Sequence, residues 1–529
     1  MSRVKQREVR LSQEEIIAKK RQIQKTRSEL RDRKKQEELS SPSRATTPNT
    51  KSPYKTAEEE IAAKMDATVE QIRFIRNQLP VILKALKRIE EPRQPKKIKH
   101  KLPVVILYAI ISFVHHIGSR REMNKELSTP TVSSMLQWFF PELESIPHQD
   151  TLNRVLAQLG DDVDQIESVL ISLIKRWMHN KKFANFLTDK YFDIAFDGTQ
   201  KTVSGELWDE NLLERTINAN TDKEYKQYYV YVLEVNLVFH NGFRIPLMSE
   251  FLKYDPKDET NKAKSSEDIK QDCETKAFKR VAHRLKNEFS HLKIRVLLDG
   301  LYASGPIIEL CKQLNWDYMI VLKDKSLTTV WEEFNSLSDM KPENSYGMKH
   351  NGRKQQFKWV NEIEYDYTVE TKDGKNLKKT LLLNVVVCEE TWEVFDREAN
   401  ESITKKSKHA WVSNQKLSRC NVHQRCNLSA RYRWNIEISN LVEKHQGYHY
   451  EHMFSYNWSA MKGFHYIMRL SHALNELGRY TKSIAKHIKE LGQRKFIAVV
   501  LQSYRLLNVV DCRDQLEIQL QKPYQVRLL

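Results

Sequence analysis

Two segments of this 529-residue sequence run apolar into an aspartate that a glycine follows at once. They are Tyr191–Asp197 (YFDIAFD) before Gly198, and Ile294–Leu298 (IRVLL) before Asp299-Gly300. An acid at the carboxyl end of a strand lies where open α/β sheets present functional groups, and glycine lets the backbone turn away. Asp-Gly is also an ordinary turn dipeptide, so neither acid assigns a function alone. Asp193 competes in the first strand, but it lies deeper in the run and lacks the glycine. A third acid comes from RYRWNIEISNLVEK (431–444). Read as a helix, it brings Arg433, Glu437 and Lys444 within roughly 40° of one another on one face, with Asn440 in the same stripe. Trp434, Ile438, Leu441 and Val442 are expected to pack elsewhere on that helix, and a solvated ion-pair stripe remains the alternative.

The chemistry such acids offer is that of hard cations. Carboxylates from separate elements that meet at one sheet edge could hold magnesium, which prefers oxygen ligands. Two such ions can activate a hydroxyl and stabilise a leaving oxyanion at a phosphodiester. Arg433 and Lys444 beside Glu437 would hold phosphates. Lys323 and Lys325, just past an expected strand, are weaker phosphate contacts.

These residues need a scaffold, and the pattern from about residue 190 supplies one. Tyr228–Phe239 is β-rich, Asn241-Gly242 is a hairpin turn, and Phe243–Met248 returns. A helix over Asp268–Lys286, a strand over Ile294–Leu298, a helix from Pro306 to Leu314 and a strand over Tyr318–Leu322 complete an α/β mixed-sheet layer. Residues 340–415 read as a β-rich insertion, with strands around Phe357–Thr371 and Lys379–Cys388. From Arg431 the chain reads as helical to about Leu507. Upstream, 57–187 reads as a helical domain, a place where DNA could be held. In it Val104–Val114 is a buried helix, and Pro147–Thr151 opens a helix capped by Asp150 or Thr151 that buries Leu152, Val155, Leu156 and Leu159. No recognition helix stands out. The divisions expected are 1–56 (a basic, partly disordered arm and linker), 57–187, 188–339 (first part of the catalytic core), 340–415, 416–475 (remainder of the core with the Glu helix) and 476–529 (C-terminal helices). In the arm, Val9, Ile16, Ile23 and Leu30 form one thin apolar seam, and Ser40–Pro53 is a Ser/Thr/Pro linker.

A net charge of +18 favours a polyanionic partner, nucleic acid first. Six scattered cysteines are too few for a disulfide framework and fit a reducing compartment. The N-terminus lacks the apolar stretch of a secretory signal, and the most apolar run is too short to span a bilayer. Cys420, His423 and Cys426, with His445, His449 and His452, could suggest zinc, but the spacing is not that of a standard knuckle and reduced structural cysteines are the expectation. Most aromatics between Tyr448 and Tyr466 are expected in the core, stacking on unpaired bases being the alternative.

At the acids, the sequence resembles bacterial DDE transposases of the insertion-sequence-four-like group, which have a ribonuclease H-like catalytic core. Arg433, Glu437 and Lys444 match the group's helix motif Tyr-x2-Arg-x3-Glu-x6-Lys in register, whereas Ala430 stands at its tyrosine position. The likeness extends to AFDGT (195–199), LLDGLYASG (297–305), KQDCETKAFKRVAHR (270–284), NVHQRCNL (421–428) and VEKHQGYHYEHMFSY (442–456), within residues 100–480. The resemblance implies a ribonuclease H-like core with a β-rich insertion. It implies Asp197, Asp299 and Glu437 as catalytic ligands of two Mg2+ ions, which Mn2+ can replace. It implies Arg433, Lys444, Asn440 and Lys323 as DNA contacts, and double-stranded transposon ends and target DNA as substrates. It further implies a homodimer in the synaptic complex and a cytoplasmic, nucleoid-associated protein of a bacterium. A ribonuclease H-like nuclease without strand transfer, or a non-catalytic DNA-binding relic of a mobile element, would share much of this pattern.

Overall fold

Along residues 225–238 (YKQYYVYVLEVNLV) burial becomes continuous from Tyr229 onward, as in a strand covered on both faces. This strand organises the sheet. The computed structural model describes residues 13–38, 54–137, 143–253, 266–370, 376–396, 401–505 and 513–529. Ten strands form one mixed sheet: β1 (Phe192–Ser204), β2 (Leu213–Ile217), β3 (Tyr225–Val238), β4 (Arg244–Phe251), β5 (Ile294–Leu298), β6 (Asp317–Val321), β7 (Ser345–His350), β8 (Arg353–Glu370), β9 (Asn376–Asp396) and β10 (Glu401–Ser413). Their order is β2-β3-β1-β5-β6-β10-β9-β8-β7, with β4 also on β3. β1 is antiparallel to β3 and parallel to β5, and β5 is parallel to β6. That core agrees with the expected ribonuclease H-like mixed sheet. The β-rich segment extends the same sheet, because β10 pairs antiparallel with β6 on one side and β9 on the other. The Asn241-Gly242 hairpin joins β3 and β4, with Gly242 at φ +84°, a conformation costly for residues with a Cβ.

Helices precede, cross and follow the sheet. α1 spans Gln13–Glu38; α2 (Ala57–Leu86), α3 (Leu102–Val114), α4 (Arg120–Leu127), α5 (Pro130–Gln137), α6 (Gln149–Gln158) and α7 (Glu167–His179) come before β1. α8 (Ser266–Glu288), α9 (Gly305–Gln313) and α10 (Thr328–Met340) lie between strands; α11 (Asn435–His445), α12 (Trp458–Arg479), α13 (Lys482–Leu491), α14 (Gln493–Arg505) and α15 (Arg513–Gln521) follow them. Residues 61–529 form one compact unit and 1–60 another. Val9 and the 40–53 linker lie outside the described residues. α3 is buried as expected, and no helix among the described residues is long and apolar enough to cross a membrane. α6 buries Leu152, Val155, Leu156 and Leu159, but its cap is His148, whose Nδ1 accepts from the Asp150 amide at 3.2 Å. The cap lies two or three residues earlier than expected because this imidazole takes the capping role of a carboxylate or hydroxyl.

α12 joins the halves of the larger unit, packing on α3, α6, α7 and β4. Lys462, His465, Arg469, His472 and Glu476 recur every three or four residues along it and are buried. Arg469 contacts Glu234 of β3 and Glu443 of α11, each at 3.1 Å, and donates to Asn236 Oδ1 at 2.7 Å. Burial opposes ionisation of both acids. At Glu443 the Arg469 charge and the His472 hydrogen bond outweigh it and hold the carboxyl below its ordinary value, whereas Glu234 is raised. Burial also drives the His465 imidazole well below its usual value. Through Glu443, this network fixes the helix that carries Glu437.

Candidate active site

Asp197 does not end its strand. β1 runs on to Ser204, and Asp197 stands opposite Glu234 in mid-strand. The polar continuation GTQKTVS stays extended because β3 pairs with it along its length, with one bulge between Gln200 and Thr202. Gly198 is therefore not a turn residue. A Cβ there would lie 2.6 Å from Glu274 Oε2 and from the Tyr231 ring, so glycine makes room for both. Asp299 does end β5. Its Oδ1 accepts from the Gly300 amide at 2.5 Å and caps a short 3-10 turn over Gly300–Tyr302. A Cβ on Gly300 would strike the Lys323 methylenes at 2.7–2.8 Å, so this glycine lets Lys323 lie across the turn and reach Asp299 Oδ2 at 3.3 Å.

The third acid sits at the start of α11. The expected continuous helix over 431–444 is interrupted: Ala430–Trp434 is a 3-10 segment and α11 begins at Asn435. The four-residue relation survives the change, since Arg433 Nη2 donates to Glu437 Oε1 at 2.7 Å. Asn440, one turn on, donates from Nδ2 to Asp197 Oδ2 at 3.0 Å. Lys444 pairs with Glu451 at 2.9 Å instead, and it does not line the cavity that holds Glu437. Seven residues is almost two turns, about 10 Å along the axis, which carries it past the acids. Trp434, Ile438 and Leu441 are exposed, contrary to expectation, and Ile436, Ser439, Asn440, Val442 and Glu443 face inward. The interior accepts polar residues here because Arg469, His472 and Asp197 partner them.

Asp299, Glu437, Arg433 and Lys323 line one cavity of about 620 Å³, with Trp434 and Lys408 at its edges. Asp197 is not among the lining residues; Asn440, on the same helix as Glu437, donates to its carboxylate. Burial and then the charges of Glu437, Glu274 and Asp299, partly offset by Arg433, push the Asp197 carboxyl up to about 7. Like charges held around a buried carboxyl favour a cation among them. The donors are hard oxygens, and so fit magnesium or manganese. Among the described residues, no three His, Cys, Asp or Glu side chains are gathered closely enough to hold a metal ion as they stand. Lys323 and Arg433 neutralise Asp299 and Glu437 in their place. Arg433 is buried, yet its Nε and Nη1 have no acceptor within the protein, and Asn440 Oδ1 has no donor.

Glu274 was missed by sequence reasoning. It is buried on α8, accepts from Tyr302 Oη at 2.9 Å, and lies over Gly198 next to Asp197. Its only sequence signal was its position in KQDCETKAFKRVAHR. Asp193, the competitor, is taken by Arg295 at 2.7 Å and is structural. Cys426 is buried, its thiol raised by burial, whereas Cys420 is exposed; His423 Nδ1 contacts Asn427. Tyr448, Tyr450, Phe454, Phe464 and Tyr466 are core residues, and Tyr456 is exposed.

No curated protein matches the chain. Residues 83–174, from the end of α2 into α7, match the family described as DDE_Tnp_1-associated. The matched segment contains none of the three acids. It is a segment of the kind associated with DDE-type transposases.

Proposed function

We propose that the chain is a DDE transposase that cleaves DNA strands and joins them to target DNA during movement of an insertion sequence, and that it belongs to the insertion-sequence-four-like group. One observation carries the reading. Acids from β1, the end of β5 and α11 act on one another beside a cavity that Asp299, Glu437, Arg433 and Lys323 line. Arg433 and Lys323 each hold a carboxylate there, and a phosphodiester is an anion that such cations can take up instead.

Asp197, Asp299 and Glu437 are the residues that would hold two Mg2+ ions, with Mn2+ an acceptable substitute. When bound, the metals supply Lewis-acid activation of the attacking water or 3′ hydroxyl and neutralise charge on the leaving oxygen. Asn440 orients the Asp197 carboxylate. Arg433 and Lys323 exchange their carboxylate partners for phosphate oxygens and fix the scissile bond in line. Lys444, held by Glu451, touches the backbone farther along the duplex. Paired transposon ends call for two copies of the chain, so a homodimer is the working assembly.

The test is incubation with duplex DNA from either side of the gene plus Mg2+, with every new end mapped and joined products sequenced. Nicks at fixed positions that free 3′ hydroxyls, and joining of those ends to a second duplex, are expected. Cleavage without joining would reduce the protein to a nuclease, and no cleavage would overturn the proposal.

A further inference from the structure

We propose that α6 is the element that reads DNA sequence, lying in the major groove with a row of phosphates on each side; this rests on the DNA-transposase reading above. α6 is about 15 Å long, which suits a groove about 12 Å wide. One face is fully committed: Leu152, Val155 and Leu156 are buried against the α3 and α12 helices. The opposite face presents Asp150, Asn153, Arg154 and Gln158, with Gln149 at its start. These are side-chain types that distinguish bases: Asn and Gln pair with adenine, Arg with guanine, and Asp accepts from cytosine.

The helix is flanked by two hollows. One, of about 500 Å³, has Arg120, Arg121, Gln149 and Asn153 in its walls, and His452 and Tyr456 from the segment that follows α11. The other, of about 630 Å³, is walled by Lys97, Lys99, His148, Thr151, Arg154 and Gln158. The strand of chain 92–101 leading into it carries five basic residues and no acid. Among the described residues, Lys97, Lys99, Arg120, Arg121 and Arg154 are in no ion pair, whereas Arg93 is bound to Glu91 at 2.6 Å. Positive charge therefore stands on both sides of the polar ridge, where the two backbones of a groove would run. Gln149 and Asn153 are half-buried, and neither Gln149 Oε1 nor Asn153 Oδ1 has a hydrogen-bond donor within the protein. Arg154 spends only Nε on the protein, donating to the Asp150 carbonyl at 3.2 Å, and keeps both terminal nitrogens for a base. The only acid on the ridge, Asp150, accepts from the Gln149 amide at 2.5 Å.

The experiment uses the full chain in EDTA, so that cleavage does not intervene. Two fluorescent duplexes are compared by anisotropy: one from the element's end beside the gene, and a shuffled duplex of the same composition. Wild type should prefer the end duplex. Arg154→Lys and Asn153→Ala should each cut that preference by about tenfold to a hundredfold while binding to the shuffled duplex holds. Lys97→Ala and Lys99→Ala should weaken both duplexes equally and each lower the salt slope by about one. Unchanged preference in Arg154→Lys and Asn153→Ala, with thermal unfolding like wild type, would overturn the assignment. Equal wild-type binding to both duplexes would overturn it as well, while leaving the cleavage reading standing. Failure to bind either duplex would sink both.

Discussion

Asp197→Asn, which keeps the shape of the side chain and removes its charge, should make the metal-free protein more stable at pH 8 while abolishing strand cleavage. The unfolded chain ionises at this position near 3.8, the folded protein near 7. Raising the carboxyl this far costs its ionised form up to roughly 4 kcal/mol relative to the unfolded chain. Because the folded value is the higher one, the protonated group favours folding. That contribution is complete below pH 3.8 and is lost as the pH rises to 7. The asparagine variant pays no such cost, and its carbonyl still accepts from Asn440. Its advantage should therefore be small at pH 4, grow to about pH 7 and level off beyond it. Urea unfolding in EDTA at several pH values measures this. Adding Mg2+ at a hundred times its dissociation constant should then stabilise wild type by about 2.7 kcal/mol and the variant much less. A variant no more stable than wild type at pH 8, or one stabilised equally by Mg2+, would refute the reasoning.

Arg469→Ala leaves Glu234 and Glu443 buried without their shared cation and should cost about 3–5 kcal/mol, read from urea unfolding. Glu274→Gln removes a like charge beside Asp197, so the pH midpoint of Mg2+ binding should fall, as calorimetry across pH would report. Gly198→Ala drives a methyl to 2.6 Å from Glu274 and Tyr231 and should lower cleavage sharply with a modest loss of stability, checked by pairing the cleavage assay with a melt. Arg433→Ala should slow cleavage by about a hundredfold or more while leaving DNA affinity within a few-fold, separable by single-turnover kinetics and anisotropy.

What the sequence disclosed depended on whether a local pattern sufficed. β5 and the β3–β4 hairpin were legible because continuous apolar runs met glycine or Asn-Gly boundaries, and β6 because its short apolar run stops at Lys323-Asp324. The far half of β1 was not, since GTQKTVS is mostly polar and follows an Asp-Gly pair, and it stays extended because β3 pairs with it. Lys201 is buried there, its ammonium lowered to about 8 by burial against the pull of Glu234 and Glu443. α11 was misread in its packing for a related reason. Periodicity sent Trp434, Ile438 and Leu441 inward, but the interior already held Arg469 and His472 of α12, which take Glu443, and Asp197 of β1, which takes Asn440. Glu274 had no local mark, because its nearness to Asp197 arises only when α8 folds across β1.

The most direct measurement of the central claim is calorimetric titration of Mn2+ into wild type, Asp197→Asn, Asp299→Asn and Glu437→Gln, each bound to an uncleavable end duplex. Two ions per wild-type chain are expected, with every substitution losing or weakening at least one. Binding unchanged by all three substitutions would contradict a shared metal site and the chemistry built on it.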